Sequence, residues 1–307
     1  MPHSNTPSKR VCALFLTIAL FPSLPGCKDK KENHADAITR HIIATRNDIR
    51  TILPAAGKIK PLFITFWDFD GTIQKGDCTE GLTINGNQVF KGLAQKSIEA
   101  GFSREYPPAK YSIFKKTALH LEKADHTAYL LLYPRALAGN EENKIIAFSE
   151  DYFNSTLQKY FFQSSMTVMK SLQQEDIGIY VISASAQVFV QGSASALDIP
   201  SGNIRGILMK SDQEKITREA IPPITHGPGK TMVLKQIVAD LKKEKGGPVF
   251  VLAGFGNSYG TDGDFLAYIT KIKLPAGKTM AVMINGGEAP GKYRGMFYEV
   301  KQEKIMK

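Results

Sequence analysis

Four short apolar runs, rich in β-branched and aromatic residues, punctuate the chain at 62–67, 178–182, 249–253 and 280–284. None alternates apolar with polar residues as a half-exposed strand does, so each reads as a strand covered on both faces. All four run into small or polar residues: Asp68-Phe69-Asp70-Gly71-Thr72, Ser183-Ala184-Ser185, Gly254, and Asn285-Gly286-Gly287. Between them lie stretches of helical periodicity at 164–175, 187–197 and 230–243. Strand and helix therefore alternate as in an α/β, doubly wound parallel sheet, which binds ligands where its strands end. Upstream, Ala37, Ile38, Ile42, Ile43 and Ile49 recur at helical spacing, predicting a surface helix over 34–53 that Pro54 ends. The stretch 78–163 is too long for a loop and holds helix-like segments without a clear strand run. It reads as an inserted helical cap domain, leaving 59–77 and 164–307 as the core domain. No internal repeat or low-complexity tract appears.

The first 32 residues follow a different pattern. Lys9 and Arg10 precede an apolar run from Val11 to Phe21, too short to span a bilayer permanently but suited to a signal peptide over 1–26. It closes in Leu24-Pro25-Gly26-Cys27, which resembles a bacterial lipobox, and a charged stretch follows at once. Either Cys27 is lipidated and becomes the mature N-terminus, or the cysteine is incidental to an ordinary secretory signal. Both predict export, and the first predicts a lipoprotein whose 27–58 segment of anchor, linker and helix tethers it to the membrane, on a periplasmic face or the cell surface. No later run of about 18 apolar residues follows to span a bilayer. Of three cysteines only Cys78 lies outside this leader, which excludes an intramolecular disulfide framework.

Composition adds a charge. The 307 residues are 43% hydrophobic and carry 39 basic against 29 acidic residues, a net charge of +10 that favours anionic partners. No Arg-rich recognition helix, zinc-finger spacing or basic stripe with interleaved aromatics accompanies it, so nucleic acid is not the expected partner. Gly229-Lys230-Thr231 and Gly277-Lys278-Thr279 look like the ends of nucleotide-binding loops, but Ile224 and Ile272 stand where that motif needs glycine.

The chemistry gathers at the strand ends. Asp68 and Asp70, two apart at the close of an extended run, place both carboxylates on one side of the chain, toward the crevice above the sheet. An isolated Asp-Gly would be a turn signal. Placed after a buried strand and before Thr72, the pair suits cation binding and covalent catalysis. Trp67-Asp68-Phe69-Asp70-Gly71-Thr72 resembles the first motif of the haloacid dehalogenase (HAD) superfamily, whose members are mostly phosphatases. Ser183 resembles the second-motif hydroxyl, Lys230 the third-motif lysine, and the run from Gly256-Asn257-Ser258 through Asp262-Gly263-Asp264 the fourth motif. The four fall in the expected order over about residues 60 to 270.

The resemblance implies a Rossmann-like fold with an inserted cap, Asp68 as nucleophile forming an aspartyl-phosphate, and Asp70 as general acid and then base. It implies phosphate binding by Gly71, Thr72, Ser183, Ala184 and Lys230, and Mg²⁺ held by Asp68, the main chain of Asp70, Asn257 and Asp262. Physical reasoning agrees, because a carboxylate attacks a dianionic phosphate monoester only where cations offset the repulsion. Mg²⁺ prefers one or two carboxylates with substrate phosphate and water. The fourth motif departs from the family's commonest pattern in carrying Asn257 at its first acidic position and one extra residue before Asp262. An amide oxygen still ligates Mg²⁺, with less charge, and either Asn257 or Asp262 takes the larger share.

The spacing of the fourth motif is similar to that of phosphorylcholine phosphatases, and Ser183-Ala184-Ser185 occurs in relatives of phosphoserine phosphatase. This branch implies a small phosphorylated metabolite, such as phosphocholine, phosphoethanolamine or phosphoserine, as substrate. Glu80 matches in position an acid that contacts the substrate amine in some relatives, or else caps a helix. Tyr106, Tyr111, Tyr129 and Tyr133 include candidates for a cation-binding cage or are cap core. His226 and Arg135 read as surface groups. A phosphotransferase or phosphomutase of the same fold, and a non-catalytic lipoprotein that binds a phosphorylated ligand, remain the alternatives.

Overall fold

The computed structural model describes residues 33–53 and 60–306. The leader, including Cys27 and the first six residues of the 27–58 segment, lies outside the described residues, as does Pro54. No helix among the described residues is long and apolar enough to cross a membrane.

In chain order the strands are β1 (Leu62–Trp67), β2 (Gly81–Ile84), β3 (Asn87–Lys91), β4 (Ile177–Ala186), β5 (Ile204–Ile207), β6 (Met209–Asp212), β7 (Lys215–Ala220), β8 (Val249–Gly256), β9 (Met280–Ile284) and β10 (Tyr298–Val300). Six of them form one sheet in the order β10-β9-β8-β1-β4-β5, with every pairing parallel. From β1 the chain moves outward through β4 and β5, then crosses back to β8 on the other side of β1. That reversal opens a crevice at the C-terminal ends of β1, β4 and β8, where α/β sheets bind ligands.

The four apolar runs are four of these six strands. Residues alternate between faces: Phe63 and Trp67 join one buried cluster with Ile38, Ile42 and Ile49 of helix His34–Ile52 and Val168 and Leu172 of helix Gln163–Gln174. Ile64 and Phe66 join another with Leu234 and Ile237 of helix Pro228–Lys245 and Phe265 and Leu266 of helix Gly263–Ile269. A doubly covered sheet follows, which is why its strands carry no polar alternation. Trp67 stacks on Phe255 at 3.6 Å between ring centroids, tying β1 to β8.

Two expectations need correction, and one hairpin appears where none was expected. The 78–163 stretch contains helices at Leu93–Glu99, Tyr111–Ala124, His126–Arg135 and Glu142–Ser155, but it opens with the β2–β3 hairpin. Asn85 and Gly86 turn it, both at positive φ, and Asn-Gly is a strong hairpin signal that the helical reading of the stretch passed over. A second hairpin, β6–β7, follows β5 and turns on Gln213 and Glu214, also both at positive φ. Lacking glycine or asparagine there, the sequence carries no such signal. The helix expected over 187–197 is broken into Gln187–Val190, a 3₁₀ turn at Gln191–Ser193, and Ala194–Leu197. Gly192 is pressed so closely against helix Glu142–Ser155 that a Cβ there would lie 2.6 Å from the Ser149 side chain.

The insertion is packed into the core rather than set apart from it. Phe153 lies fully buried and meets Phe69, beside the Asp68–Asp70 loop, edge to face at 5.6 Å. Phe153→Ala removes that contact and leaves a cavity, so it is expected to cost about 3–5 kcal/mol. Thermal unfolding should show one cooperative transition moved down in temperature; two separate transitions, with only one moved, would refute a shared core.

Candidate active site

Each element delivers its residue by ending at the crevice. The Asp68 amide donates to the Phe255 carbonyl at 2.8 Å, continuing the β1–β8 ladder one residue beyond the strand. The loop then turns at Gly71, whose φ of +77° is left-handed. A Cβ on Gly71 would lie 1.9 Å from the Asn257 side-chain amide, so glycine is also what lets the first and fourth motifs approach. β4 runs to Ala186, beyond the strand end expected from its apolar run, and Ser183 to Ser185 sit where its register with β5 slips between Ile182 and Ala186.

Behind this loop lies a buried ion cluster. Lys230, in the first turn of helix Pro228–Lys245, is fully buried and donates to Asp68 Oδ1 at 2.5 Å and to Asp262 Oδ1 at 2.7 Å. The second oxygen of Asp262 accepts the amides of Asn257 at 2.9 Å and Ser258 at 3.0 Å. The second oxygen of Asp68 accepts the Thr72 hydroxyl at 2.8 Å. Burial works against the Lys230 ammonium, but Asp262 and Asp68 outweigh it and hold its pKa above the ordinary lysine value. For Asp68 the balance runs the other way: burial and then the charge of Asp262 push its carboxyl up to about 7, against the pull of Lys230.

Asp70 is held by other partners. Its Oδ1 accepts the Cys78 amide at 2.6 Å and its Oδ2 the Ser185 hydroxyl at 2.7 Å, which in turn accepts from Thr79 Oγ1 at 3.0 Å. Burial raises its pKa despite these donors. Cys78 is a buried free thiol whose pKa burial pushes well up.

Asp68, Asp70, Asn257, Ser258 and Ala184 face a cavity of about 250 Å³. Its outer wall is supplied by Asp77 and, from the insertion, by Glu80, Glu122, His126, Tyr129 and Tyr133. Lys230, Asp262, Thr72 and Ser183 are buried behind it, and the Ser183 hydroxyl oxygen accepts the Ser185 amide at 3.0 Å. The motifs therefore converge, though Ser183 does not line the cavity. Glu80 caps no helix: its Oε1 accepts the hydroxyls of Tyr129, at 2.6 Å, and of Tyr133. Tyr106 and Tyr111 pack on Phe114 and do not line the cavity. His226 is half-buried and its ring lies 4.6 Å from that of His126, joining the insertion to the core. Arg135 donates to the Arg218 carbonyl.

Sequence reasoning gave no role to Asp77, Glu122, His126 or Ser185. Asp77 accepts the amides of Thr79 at 2.7 Å and Glu80 at 2.9 Å, shaping the loop that presents Glu80, and its pKa is pushed well above the usual range by burial and by Asp70. Glu122 and His126 come from two separate helices of the insertion, and no motif marks them.

The donor set suits Mg²⁺. Asp68 and Asn257 offer hard oxygens at the cavity, and burial raises the pKa values of Asp68, Asp70 and Asp77. Asp262 has both oxygens occupied by Lys230 and by main-chain amides, so it fits a supporting position better than a direct ligand. The carboxylates of Asp70 and Asp77 and the Cys78 sulfur also lie within 4.8 Å of one another. A protonated thiol there is a poor partner for Mg²⁺, and the Asp70 carboxylate is already engaged.

No protein-family model matches the chain, and no curated protein matches it. Solved structures do. A protein of unknown function from Bordetella pertussis Tohama I is 12% identical with a TM-score of 0.57, over 78% of this chain and 99% of that one. A functionally unknown protein from Anaerococcus prevotii DSM 20548 is 13% identical with a TM-score of 0.58, over 87% and 91%. Cytosolic 5′-nucleotidase IIIB bound to cytidine is 14% identical with a TM-score of 0.51, over 88% and 86%. At such identities the likeness is one of fold. The chain shares with them an α/β fold built on a parallel sheet flanked by helices.

The raised pKa of Asp68 has a consequence for stability. Unfolded, the group titrates near 3.8 and folded near 7, so between these values the native state holds more protons and loses stability as pH rises. Asp68→Asn, which cannot ionise, is expected to raise the melting temperature at about pH 8, in chelator, and to change it little at about pH 4. A lower melting temperature at the higher pH would refute the assignment.

Proposed function

We propose that the protein is a Mg²⁺-dependent phosphatase of small phosphate monoesters, with Asp68 as nucleophile and Asp70 as general acid and base. The observation that supports this most is that both carboxylates face one cavity while Lys230 is buried against the first alone. Lys230 and Thr72 fix the plane of the Asp68 carboxylate and offset part of its charge, so one oxygen can form a bond to phosphorus as the ester P–O bond breaks. Asp70, held by Cys78 and Ser185 with a raised pKa, delivers its proton to the departing alkoxide. It then takes a proton from water, which attacks phosphorus and returns the Asp68 carboxylate with inorganic phosphate. Asp68, Asn257 and the Asp70 carbonyl would hold Mg²⁺, which supplies Lewis-acid stabilisation of charge on the phosphoryl oxygens.

The outer wall bears on the substrate. Asp77, Glu80 and Glu122 disfavour an anionic leaving group, and Tyr129 and Tyr133, 5.4 Å apart and edge to face, stand beside Glu80. A leaving alcohol that bears an amine or quaternary ammonium meets both a carboxylate and aromatic faces. The leader reading adds export and a lipid anchor at Cys27. Labelling of the protein with a fatty acid in its bacterial host should be lost on Cys27→Ser; labelling that persists would refute the anchor.

A generic aryl phosphate and phosphocholine provide the central test. Phosphate release should stop with chelator, return with Mg²⁺, and be abolished in Asp68→Asn with the fold intact. Glu80→Gln should raise KM for phosphocholine roughly tenfold or more while leaving aryl phosphate nearly unaffected, the loss expected for a charge-assisted contact. Release undiminished in Asp68→Asn refutes the mechanism, and equal effects on both esters refute the amine preference. Binding of phosphocholine without turnover would favour a ligand-binding lipoprotein.

A further inference from the structure

The Thr72 main chain is anchored from the far end of the protein. After β10, residues 301–306 cross the start of helix Gln163–Gln174: the Gln163 amide donates to the Lys304 carbonyl at 2.9 Å and the Met306 amide to the Phe161 carbonyl at 2.8 Å. Phe161 and Phe162 in turn pair with Gln74 and Ile73, just beyond Thr72. Gln302 is the one residue between 301 and 304 that is buried. Its backbone is locked to Asn285, at the end of β9, by a reciprocal pair of hydrogen bonds of 2.9 and 2.8 Å.

With its backbone so fixed, the Gln302 side chain has a defined target. Its Nε2 donates to the Thr72 carbonyl at 2.8 Å, across 230 positions of sequence, and its Oε1 accepts the Ser164 hydroxyl at 2.5 Å. The Ser165 hydroxyl donates to the same Thr72 carbonyl at 2.7 Å. Two buried donors on one carbonyl fix the orientation of that peptide plane. Thr72 itself is fully buried, and its hydroxyl is the donor to Asp68 Oδ2.

We propose that Gln302 is a positioning residue for the nucleophile, holding Thr72 so that its hydroxyl fixes the second oxygen of Asp68 while Lys230 holds the first. A surface tail with only a structural role would have no need of a buried amide aimed at the catalytic loop. This rests on the phosphatase reading for its kinetic consequence but not for its geometry. Because the attacking carboxylate must be aligned within fractions of an ångström, loosening it lowers kcat more than KM.

The test uses Gln302→Met, which keeps the volume and removes the side-chain hydrogen bonds to Thr72, Ser164 and Ser165, alone and with Thr72→Val. Gln302→Met is expected to lower kcat roughly tenfold with KM changed by less than about twofold, and to have no further effect in the Thr72→Val background. An unchanged kcat, or effects that multiply in the double variant, overturns the proposal. Crystal structures of the wild type and Gln302→Met decide the geometry without turnover: a Thr72 hydroxyl still bonded to Asp68 Oδ2 in the variant overturns it, and a lost or lengthened contact supports it. A wild type without phosphatase activity would therefore sink the functional reading and leave this arm to decide the positioning. Should Gln302→Met not fold, Ser165→Ala removes the other donor to the carbonyl and is read by the same criteria.

Discussion

A single ammonium buried between two carboxylates is the constraint around which the rest is arranged. Lys230 has no exposed surface, and neither has Asp262. Taking such charges out of water costs several kcal/mol per ion, recovered only if the geometry is good and the remaining lone pairs are satisfied. The chain meets that demand from three separate segments: Asp68 at the end of β1, the amides of Asn257 and Ser258 after β8, and Lys230 in the first turn of helix Pro228–Lys245. Leaving out Lys230 would strand the buried Asp262 carboxylate without a counter-charge. The sheet order, which sets β1 beside both β4 and β8, brings these segments within reach.

The cluster is stable as a unit without being electrically balanced. Asp68 and Asp262 share one lysine, and burial raises the carboxyl pKa values of Asp68 and Asp70 against its pull. Such an environment suits chemistry in which one acid attacks and another carries a proton, since the two carboxyls are held by different partners. Asp68 has Lys230 and Thr72, while Asp70 has Cys78 and Ser185. Distinct environments for neighbouring acids are how one site assigns two roles.

The insertion is joined to the core by packing as well as by hydrogen bonds. Phe153 and Phe161 seat it on Phe69, and Tyr129 and Tyr133 converge on Glu80 over the cavity. Because the insertion is rooted beside the Asp68 loop, the outer wall and the floor of the cavity share one hydrophobic cluster.

Local pattern was enough for the central strands and the acids at their ends, because a strand buried on both faces must be apolar throughout and the crevice lies where such strands stop. It was enough also for the spacing of Asp68, Asp70, Lys230 and Asn257. The turn at Asn85-Gly86 was equally legible, whereas the one at Gln213-Glu214 was not, since its strained backbone is imposed by the strands it joins. Pairwise identity of partners lay beyond the sequence: that Glu80 meets two tyrosines from helix His126–Arg135, that Asp262 turns its oxygens to Lys230 and the main chain, or that Gln302 reaches Thr72. Periodicity reports which face a residue occupies relative to its own element. Which residue it meets across a core depends on how elements dock, and that was decided only when the whole chain packed.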